Sequence, residues 1–186
     1  MALFRYASKL KKADDGYLYK WDFTKSLVDE VHGVEAVLYG YERDENGIYV
    51  DNTIGDITFT NVAFEIGKTY EFKFGSMSYV TGQTLISFSN DSFNNSSPFS
   101  WSSGSKVWGI NQNGWVASNV KVKAFPNSTL KLVILSDRID IYQDDTKLGY
   151  ISIVLNSYAS FRVGDRRSGT YRNFYLESVR IYENEE

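Results

Sequence analysis

The chain has 186 residues, a formal net charge of −3 and no cysteine. Its length is that of one domain that can bury a core of its own. The mild negative charge argues against a nucleic-acid binder, which normally carries a basic face, and the lack of cysteine excludes disulfides and thiolate metal sites.

No apolar run approaches the ~18 residues that a membrane span needs, so we expect no membrane insertion. The first residues lack the apolar region and small-residue cleavage site of a signal peptide. Localisation therefore stays open, with a virion or an extracellular assembly as candidates. Residues 1–16 are predicted to form a lead-in or a docking arm, in which Leu3, Phe4 and Tyr6 would contact another subunit.

Residues 17–186 are predicted to form a single domain built from short strands. Alternating apolar and polar residues, bounded by turn signals, mark each strand. Upstream of the middle of the chain, the predicted strands are 17–23, 34–39, 48–50, 57–59, 62–64, 69–74 and 85–88. The Ser- and Asn-rich segment 89–105, which contains Trp101, is predicted to be a long loop.

Two hairpins follow. Asn113-Gly114 is a strong signal for a two-residue turn, which would pair Gln112 with Trp115 and Trp108 with Asn119. Further on, a turn at Ser136-Asp137 would pair Ile134 with Ile139 and Leu132 with Ile141, leaving Lys131, Val133, Arg138, Asp140 and Tyr142 on the other face. With many short strands and no helical period, the chain is predicted to be an all-β, two-sheet antiparallel sandwich.

Several motifs in order are similar to the laminin-G-like, concanavalin-A-like jelly rolls. They are WDFTKSLVD at 21–29, TLIS at 84–87, the hairpin 130–149, FRVG at 161–164 and YLESVRIY at 175–182. The resemblance implies a jelly-roll sandwich over residues 17–182. The chain departs from the pattern at Ser178, where relatives often have Asp, and at Asp144-Asp145, where a hairpin Asp-Gly is usual. It also lacks the E-x-D-x-E triplet of the catalytic glucanases of this fold.

The predicted binding site is the Asn113-Gly114 hairpin and its surroundings. One face of this hairpin would show Trp108, Gln112, Trp115 and Asn119, while Val107 and Val116 face the core. Tryptophan rings stack on the apolar faces of sugars and amides bond their hydroxyls, so this face is interpreted as carbohydrate-binding. Trp101 and Tyr142 would complete the site. The alternative is that the tryptophan face is the core, because a one-residue slip exchanges the two faces.

Catalysis and metal binding have little support. The chain has one histidine, His32, in a polar connection without an evident orienting partner. Asp144 and Asp145 could bind Ca²⁺, but acidic residues at a turn are favoured for backbone reasons. We therefore expect no cofactor and no enzymatic activity.

The leading hypothesis is a non-catalytic, lectin-like module within a larger assembly, such as a phage tail or baseplate device that recognises a cell-surface polysaccharide. Many weak sites would act together in such an assembly. The alternatives are a structural or protein-interaction sandwich, which is a possible homo-oligomer without sugar binding, and a glycoside hydrolase. The fold alone does not decide between them.

Overall fold

A computed structural model describes residues 16–51, 55–77, 84–90, 97–102, 105–122, 124–165 and 173–184. The regular elements of this part of the chain are all strands: β1 (Tyr19–Asp22), β2 (Val37–Tyr39), β3 (Glu42–Asp44), β4 (Gly47–Val50), β5 (Gly55–Phe59), β6 (Lys68–Met77), β7 (Thr84–Ser89), β8 (Ser97–Ser102), β9 (Val107–Asn111), β10 (Trp115–Ala117), β11 (Thr129–Ile134), β12 (Ile139–Gln143), β13 (Thr146–Ile151), β14 (Ser160–Asp165) and β15 (Phe174–Glu183). No helix of the described chain is long and apolar enough to cross a membrane. The predicted docking arm lies outside the described residues, apart from Gly16.

The strands form two antiparallel sheets packed face to face, as the sequence predicted. Sheet 1 has the order β13-β12-β11-β6-β15-β4-β3, and β1 also pairs with β15. Sheet 2 has the order β10-β9-β8-β7-β14-β5-β2. The ten-residue β15 is long enough to hold β6 along one side, and β4 and β1 end to end along the other.

Strict alternation along the strands builds the core. Tyr70, Phe72 and Phe74 point inward from β6 and are fully buried. From sheet 2, Phe161 meets the rings of Tyr70 and Phe72 edge-on, and burying a phenylalanine side chain contributes about 1.5–3 kcal/mol. The Tyr70 hydroxyl keeps its hydrogen bonds inside, because it donates to the Ala63 carbonyl at 2.8 Å and accepts from the Glu65 N–H. Burial raises the pKa of Tyr70.

The second predicted hairpin is confirmed in its register. Ile134 pairs with Ile139 and Leu132 with Ile141, and a hydrogen bond from the Leu135 N–H to the Arg138 carbonyl closes the turn. This register places Tyr142 on the outer face of sheet 1.

Two local predictions are wrong. Residues 97–102, predicted as loop, form β8, because Phe99 and Trp101 alternate inward between outward-facing serines. Residues 62–64, predicted as a strand, make only an isolated bridge between Phe64 and Tyr158.

Candidate functional site

Trp108 was predicted to present its ring to a ligand, and this prediction is wrong. The side chain is 0% exposed. Its ring stacks on Phe99 with centroids 4.9 Å apart and 7° between planes, and meets Trp101 edge-on at 5.7 Å. The indole N–H donates to the Val122 carbonyl at 2.7 Å, so the one polar atom of the ring is satisfied inside. Trp108 therefore belongs to the core.

Trp101 does not join a surface site either, since it is 1% exposed. It lies on β8 opposite Trp108 on β9. Both rings pack between the sheets, where they fill a corner of the core that Phe125 also lines. Both tryptophans are buried because large aromatic rings remove more apolar surface from water than other side chains do, and the space between the two sheets is wide enough to hold them.

The register of the β9–β10 hairpin explains why Trp108 lies inside the sandwich and Trp115 outside it. Trp115 pairs with Asn111 and Val116 with Ile110, so the connecting loop has three residues instead of the predicted two. Asn113 and Gly114 both adopt positive φ in this loop, at 71° and 127°. The side chains of β9 consequently lie on the faces opposite to those predicted, with Trp108 inward.

Trp115 is on the outside, as predicted, and is 41% exposed. Its ring lies over Gly109 on the neighbouring strand, on the outer face of sheet 2. A β-carbon at Gly109 would come within 2.5 Å of the Trp115 ring and of the Val116 carbonyl oxygen. Only glycine lets the indole rest against the strand backbone in this way.

Gln112 holds two segments together. Its side-chain N–H donates to the Val154 carbonyl at 3.0 Å, while its oxygen accepts from the Asn156 N–H at 3.0 Å and the Tyr158 hydroxyl at 2.9 Å. These bonds fix the hairpin loop to the connection that follows β13. Gln112 therefore has a structural role in this part of the fold, and its predicted role in sugar binding stays a prediction.

Replacing Gln112 with alanine should lower the free energy of unfolding by about 1–3 kcal/mol, because three bonded backbone and side-chain groups lose their partner. Urea unfolding of the free protein would measure this change. The exposed Lys121 on a nearby connection offers the control, since its replacement by alanine should change stability by less than about 0.5 kcal/mol. Equal effects of the two substitutions would contradict the role assigned to Gln112.

Asn119 also bonds the backbone rather than facing a ligand site. Its side-chain oxygen accepts from the Tyr150 N–H on β13, the edge strand of sheet 1, at 3.1 Å. The adjacent Ser118 N–H donates to the Trp108 carbonyl on sheet 2 at 2.7 Å. A β-carbon at Gly149 would lie only 2.0 Å from the Asn119 oxygen, so a larger residue there would displace the Asn119 amide. The segment thus links the two sheet edges, and the predicted sugar-binding role of Asn119 stays a prediction.

Tyr142 lies elsewhere, in a shallow depression on the outer face of sheet 1. The depression has a volume of about 470 Å³. We call it the tyrosine depression, and its lining residues are Thr69, Lys131, Val133, Leu135, Tyr142, Asp145, Tyr182 and Asn184. Tyr142 is on β12 and Tyr182 on β15, with β11 and β6 between them. At the usual strand spacing the two positions are about 14 Å apart.

Charges are balanced inside the tyrosine depression. The Lys131 ammonium lies 3.1 Å from an Asp145 carboxylate oxygen and 3.9 Å from Glu71. The same ammonium is 5.5 Å from the centre of the Tyr142 ring, which is within the range of a cation–π contact. Across the depression, the Tyr182 hydroxyl donates to Glu71 at 2.7 Å.

The end of the tyrosine depression is polar and fixed in place. The Thr69 hydroxyl donates to the Asn184 side-chain oxygen at 2.7 Å, and the Asn184 amide N–H donates to the Ile134 carbonyl at 3.0 Å. The arrangement combines two aromatic rings, a cation, carboxylates and an amide around a floor at Val133. Such a surface can stack on an apolar ring face while bonding polar groups around its rim.

Tyr182 and Tyr17 were not among the site residues predicted from the sequence. Tyr182 lies outward on β15 between the inward-facing Ile181 and the strand end, and its ring meets Tyr17 edge-on at 5.7 Å. The alternation of 179–182, with Val179 and Ile181 buried, was a sufficient signal for an outward Tyr182. The position of Tyr17 beside it depends on long-range pairing of β1 with β15.

The predicted site residues therefore do not form one site. Trp115 and Tyr142, the two with exposed or partly exposed rings, lie on the outer faces of different sheets. Of these two surfaces, the one around Tyr142 is concave and brings a second aromatic ring and fixed polar groups together. The tyrosine depression is therefore the better candidate.

The half-buried His32 makes no side-chain hydrogen bond to the described residues, whereas the acidic turn has protein partners. The His32 Nδ1 is 3.6 Å from an Asp29 carboxylate oxygen, and its ring packs on Tyr19. Asp144 accepts a hydrogen bond from the Thr129 N–H at 2.9 Å, and Asp145 pairs with Lys131. The described part of the chain contains no group of three or more His, Cys, Asp or Glu side chains arranged to hold a metal ion.

Comparison with known proteins shows the fold. No protein-family model and no curated protein sequence matches the chain. Domain 4 of AbnA, a GH43 extracellular arabinanase from Geobacillus stearothermophilus solved with arabinotriose, matches with a TM-score of 0.67 and 12% identity, over 89% of this chain and 91% of that one.

Two further solved structures are similar. Trypanosoma rangeli sialidase in complex with sialic acid matches with a TM-score of 0.65 and 14% identity, over 91% of this chain but 31% of the sialidase. Crh5 transglycosylase in complex with NAG matches with a TM-score of 0.53 and 14% identity, over 90% of this chain and 84% of that one. The likeness agrees with the two-sheet antiparallel β-sandwich described above.

Proposed function

We propose that the protein is a non-catalytic, lectin-like module of the laminin-G-like type, and that it binds a glycan in the tyrosine depression. The observation that carries the proposal is the pairing of Tyr142 and Tyr182 across a shallow, polar-rimmed hollow of about 470 Å³. A sugar ring has one apolar face and a rim of hydroxyls, and this hollow offers an aromatic surface with fixed donors and acceptors to match.

In the proposed mechanism, the apolar face of a sugar ring lies against Tyr142 or Tyr182. Its hydroxyls replace water at the Lys131 ammonium, the Asn184 amide and the Asp145 carboxylate. Because Thr69 and the Ile134 carbonyl already hold Asn184 in place, little side-chain freedom is lost on binding at that position. No metal takes part in this mechanism.

The non-catalytic part of the proposal is supported by how the acidic groups are used. Glu71 accepts a hydrogen bond from Tyr182, and Asp145 is paired with Lys131. Hydrolysis of a glycosidic bond needs a carboxylic acid and a carboxylate that face one cleft from opposite sides of the bond. These two carboxylates instead lie beside the same lysine, Lys131.

A shallow site binds each sugar weakly, and the proposal therefore includes a multivalent setting. Several copies on one particle would raise the effective affinity without any new contact. A phage tail or baseplate device is the assembly we propose. The likeness to domains solved with arabinotriose and NAG, and to a sialidase solved with sialic acid, supports a glycan as the partner.

Alanine at Tyr142 or Tyr182 should weaken glycan binding about fivefold to tenfold, because each ring contributes about 1 kcal/mol of stacking. A glycan array that includes arabinan and chitin oligosaccharides would identify a ligand, and isothermal titration calorimetry would measure the affinities. Tyr39, an equally aromatic and 51% exposed residue on sheet 2, is the matched control, and Tyr39→Ala should bind as wild type does.

Trp115→Ala completes the design by testing the other surface. If this variant alone loses binding, the site lies over Gly109 on sheet 2 and the tyrosine depression is excluded. If the wild-type protein binds no glycan on the array, in a multivalent format as well as singly, the carbohydrate-binding proposal is wrong.

A further inference from the structure

The outer face of sheet 1 carries a row of basic residues beside the tyrosine depression. Four lysines of this face each lie close to a carboxylate: Lys20 to Glu30, Lys73 to Glu177, Lys131 to Asp145 and Lys147 to Asp140. Within each pair, the positive and negative charges neutralise each other. They therefore do not by themselves attract an anion.

Arg180 differs from the other cations of this face. No carboxylate of the described residues lies within 4.0 Å of its guanidinium, and its buried Nε–H has no hydrogen-bond acceptor among them. The guanidinium is placed 5.5 Å from the centre of the Tyr17 ring. The nearest carboxylate in the strand register is Glu71, but that group accepts from Tyr182 instead.

A guanidinium in this state has a definite chemical requirement. Its planar array of N–H donors matches the two oxygens of a carboxylate, and stacking on an aromatic ring leaves the edge of the plane free for such a pair. A donor buried without an acceptor destabilises the protein, and an anionic oxygen seated beside the guanidinium would relieve this. Arg180 is therefore built to receive an anion.

The surroundings of Arg180 favour a small anionic group on a larger polar molecule. It lines a hollow of about 190 Å³ in which the charges of Lys20 and Lys73 are offset by those of Asp22 and Glu177, so that Arg180 supplies the excess positive charge of the lining. In the strand register, Lys20 lies directly beside Arg180 on β1. Two positions further along β15, on the same face, is Tyr182 of the tyrosine depression, about 7 Å away along the strand. The two hollows are thus adjacent.

We propose that the glycan bound by this face is acidic, and that Arg180 pairs with the carboxylate of a uronic-acid-type sugar while Tyr182 stacks on the same or the neighbouring unit. This inference rests on the proposed function and specifies its ligand class. Lys20 and Lys73 stay paired with Glu30 and Glu177, so the charge-assisted contact is assigned to Arg180 alone. Neutral glycans would use the tyrosine depression alone.

The test compares a polyuronate, such as polygalacturonate, with its fully methyl-esterified form, which has the same sugars without the charge. Wild-type protein should bind the acid at least about tenfold more tightly than the ester, as one charge-assisted pair predicts. Arg180→Gln should remove this preference and leave affinity for the ester within about twofold. Arg180→Lys should keep part of this preference, because lysine preserves the positive charge but not the planar pair of N–H donors.

Arg138, which is paired with Asp140 on the same face at 3.0 Å, provides the control, and Arg138→Gln should retain the acid preference. Thermal unfolding of every variant verifies that it folds. A sulfated glycan forms the third arm: tighter binding of sulfate than of carboxylate would overturn the assignment to a uronic acid. Equal binding of acid and ester by wild type would overturn the acidic-ligand inference and leave the proposed function standing, whereas no binding of any arm would defeat both.

Discussion

Replacing Trp108 with alanine is expected to lower the free energy of unfolding by about 3–5 kcal/mol, the range for removing a buried tryptophan ring from a packed core. The substitution would leave Phe99, Trp101 and Phe125 facing a cavity, and the Val122 carbonyl would lose its indole donor. Urea unfolding followed by far-ultraviolet circular dichroism would measure the change without depending on tryptophan emission.

Two companion variants make the Trp108 experiment specific. Trp115→Ala removes the same side chain from the outer face of the adjacent strand and should cost less than about 1 kcal/mol. Trp108→Phe retains an aromatic ring but not the N–H, so its cost should fall between the two. Similar losses for Trp108→Ala and Trp115→Ala would contradict the assignment of Trp108 to the core.

Removing Asp56 should have an effect of similar size, about 3–5 kcal/mol for Asp56→Ala. This residue lies on β5, and its carboxylate is 3.2 Å from the Arg162 guanidinium on β14, with both side chains buried. Asp56 also accepts a hydrogen bond from the Thr58 hydroxyl at 2.8 Å. Without it, a buried positive charge would lose its paired carboxylate. Equilibrium unfolding in urea would measure the loss.

The double variant Asp56→Leu/Arg162→Met separates the cost of an unpaired charge from the value of the pair. It should be clearly more stable than Asp56→Ala, because it buries no charge. The exposed pair of Lys68 and Glu183, at 3.2 Å, is the surface control, and Glu183→Gln should cost less than about 1 kcal/mol. If Asp56→Ala behaved like Glu183→Gln, the buried pair would contribute little.

The fold was predictable where polar and apolar residues alternate without ambiguity. In the hairpin of β11 and β12, the register set by the Ser136-Asp137 turn places Leu132, Ile134, Ile139 and Ile141 on one face, and that register is the observed one. A shift of β12 by one residue would turn Ile139 and Ile141 to the outer face. The sequence pattern was therefore sufficient to predict both the pairing of β11 with β12 and the outward position of Tyr142.

The hairpin of β9 and β10 could not be resolved in the same way. Val107, Trp108 and Ile110 are apolar on both faces of β9, so alternation did not say which face was inside. The Asn113-Gly114 pair suits positive φ in a two-residue or a three-residue loop alike. The volume of the Trp108 ring, and its hydrogen bond to a distant carbonyl, decided the outcome.

The roles of Gln112 and Asn119 depended on contacts across the sequence. Their partners lie between 31 and 46 residues away, at Tyr150, Val154, Asn156 and Tyr158. An amide that bonds a sugar and an amide that bonds a distant backbone group look the same in a single sequence. For the same reason, Tyr142 of the tyrosine depression was predicted as a site residue and Tyr182 was not, since strands remote in sequence bring the two rings together.

The central position of β15 has a consequence for how the protein is made. Among the described strands, β1 and β4 join sheet 1 through β15, and β3 joins through β4. These three strands are synthesised more than a hundred residues before β15, and until it emerges from the ribosome they have no place in the sheet. Trp21, Ile48 and Val50 must stay exposed during that interval. Sheet 1 is therefore completed only after β15 has been synthesised; its folding is slowed by these long-range pairings, which leaves the nascent chain open to aggregation.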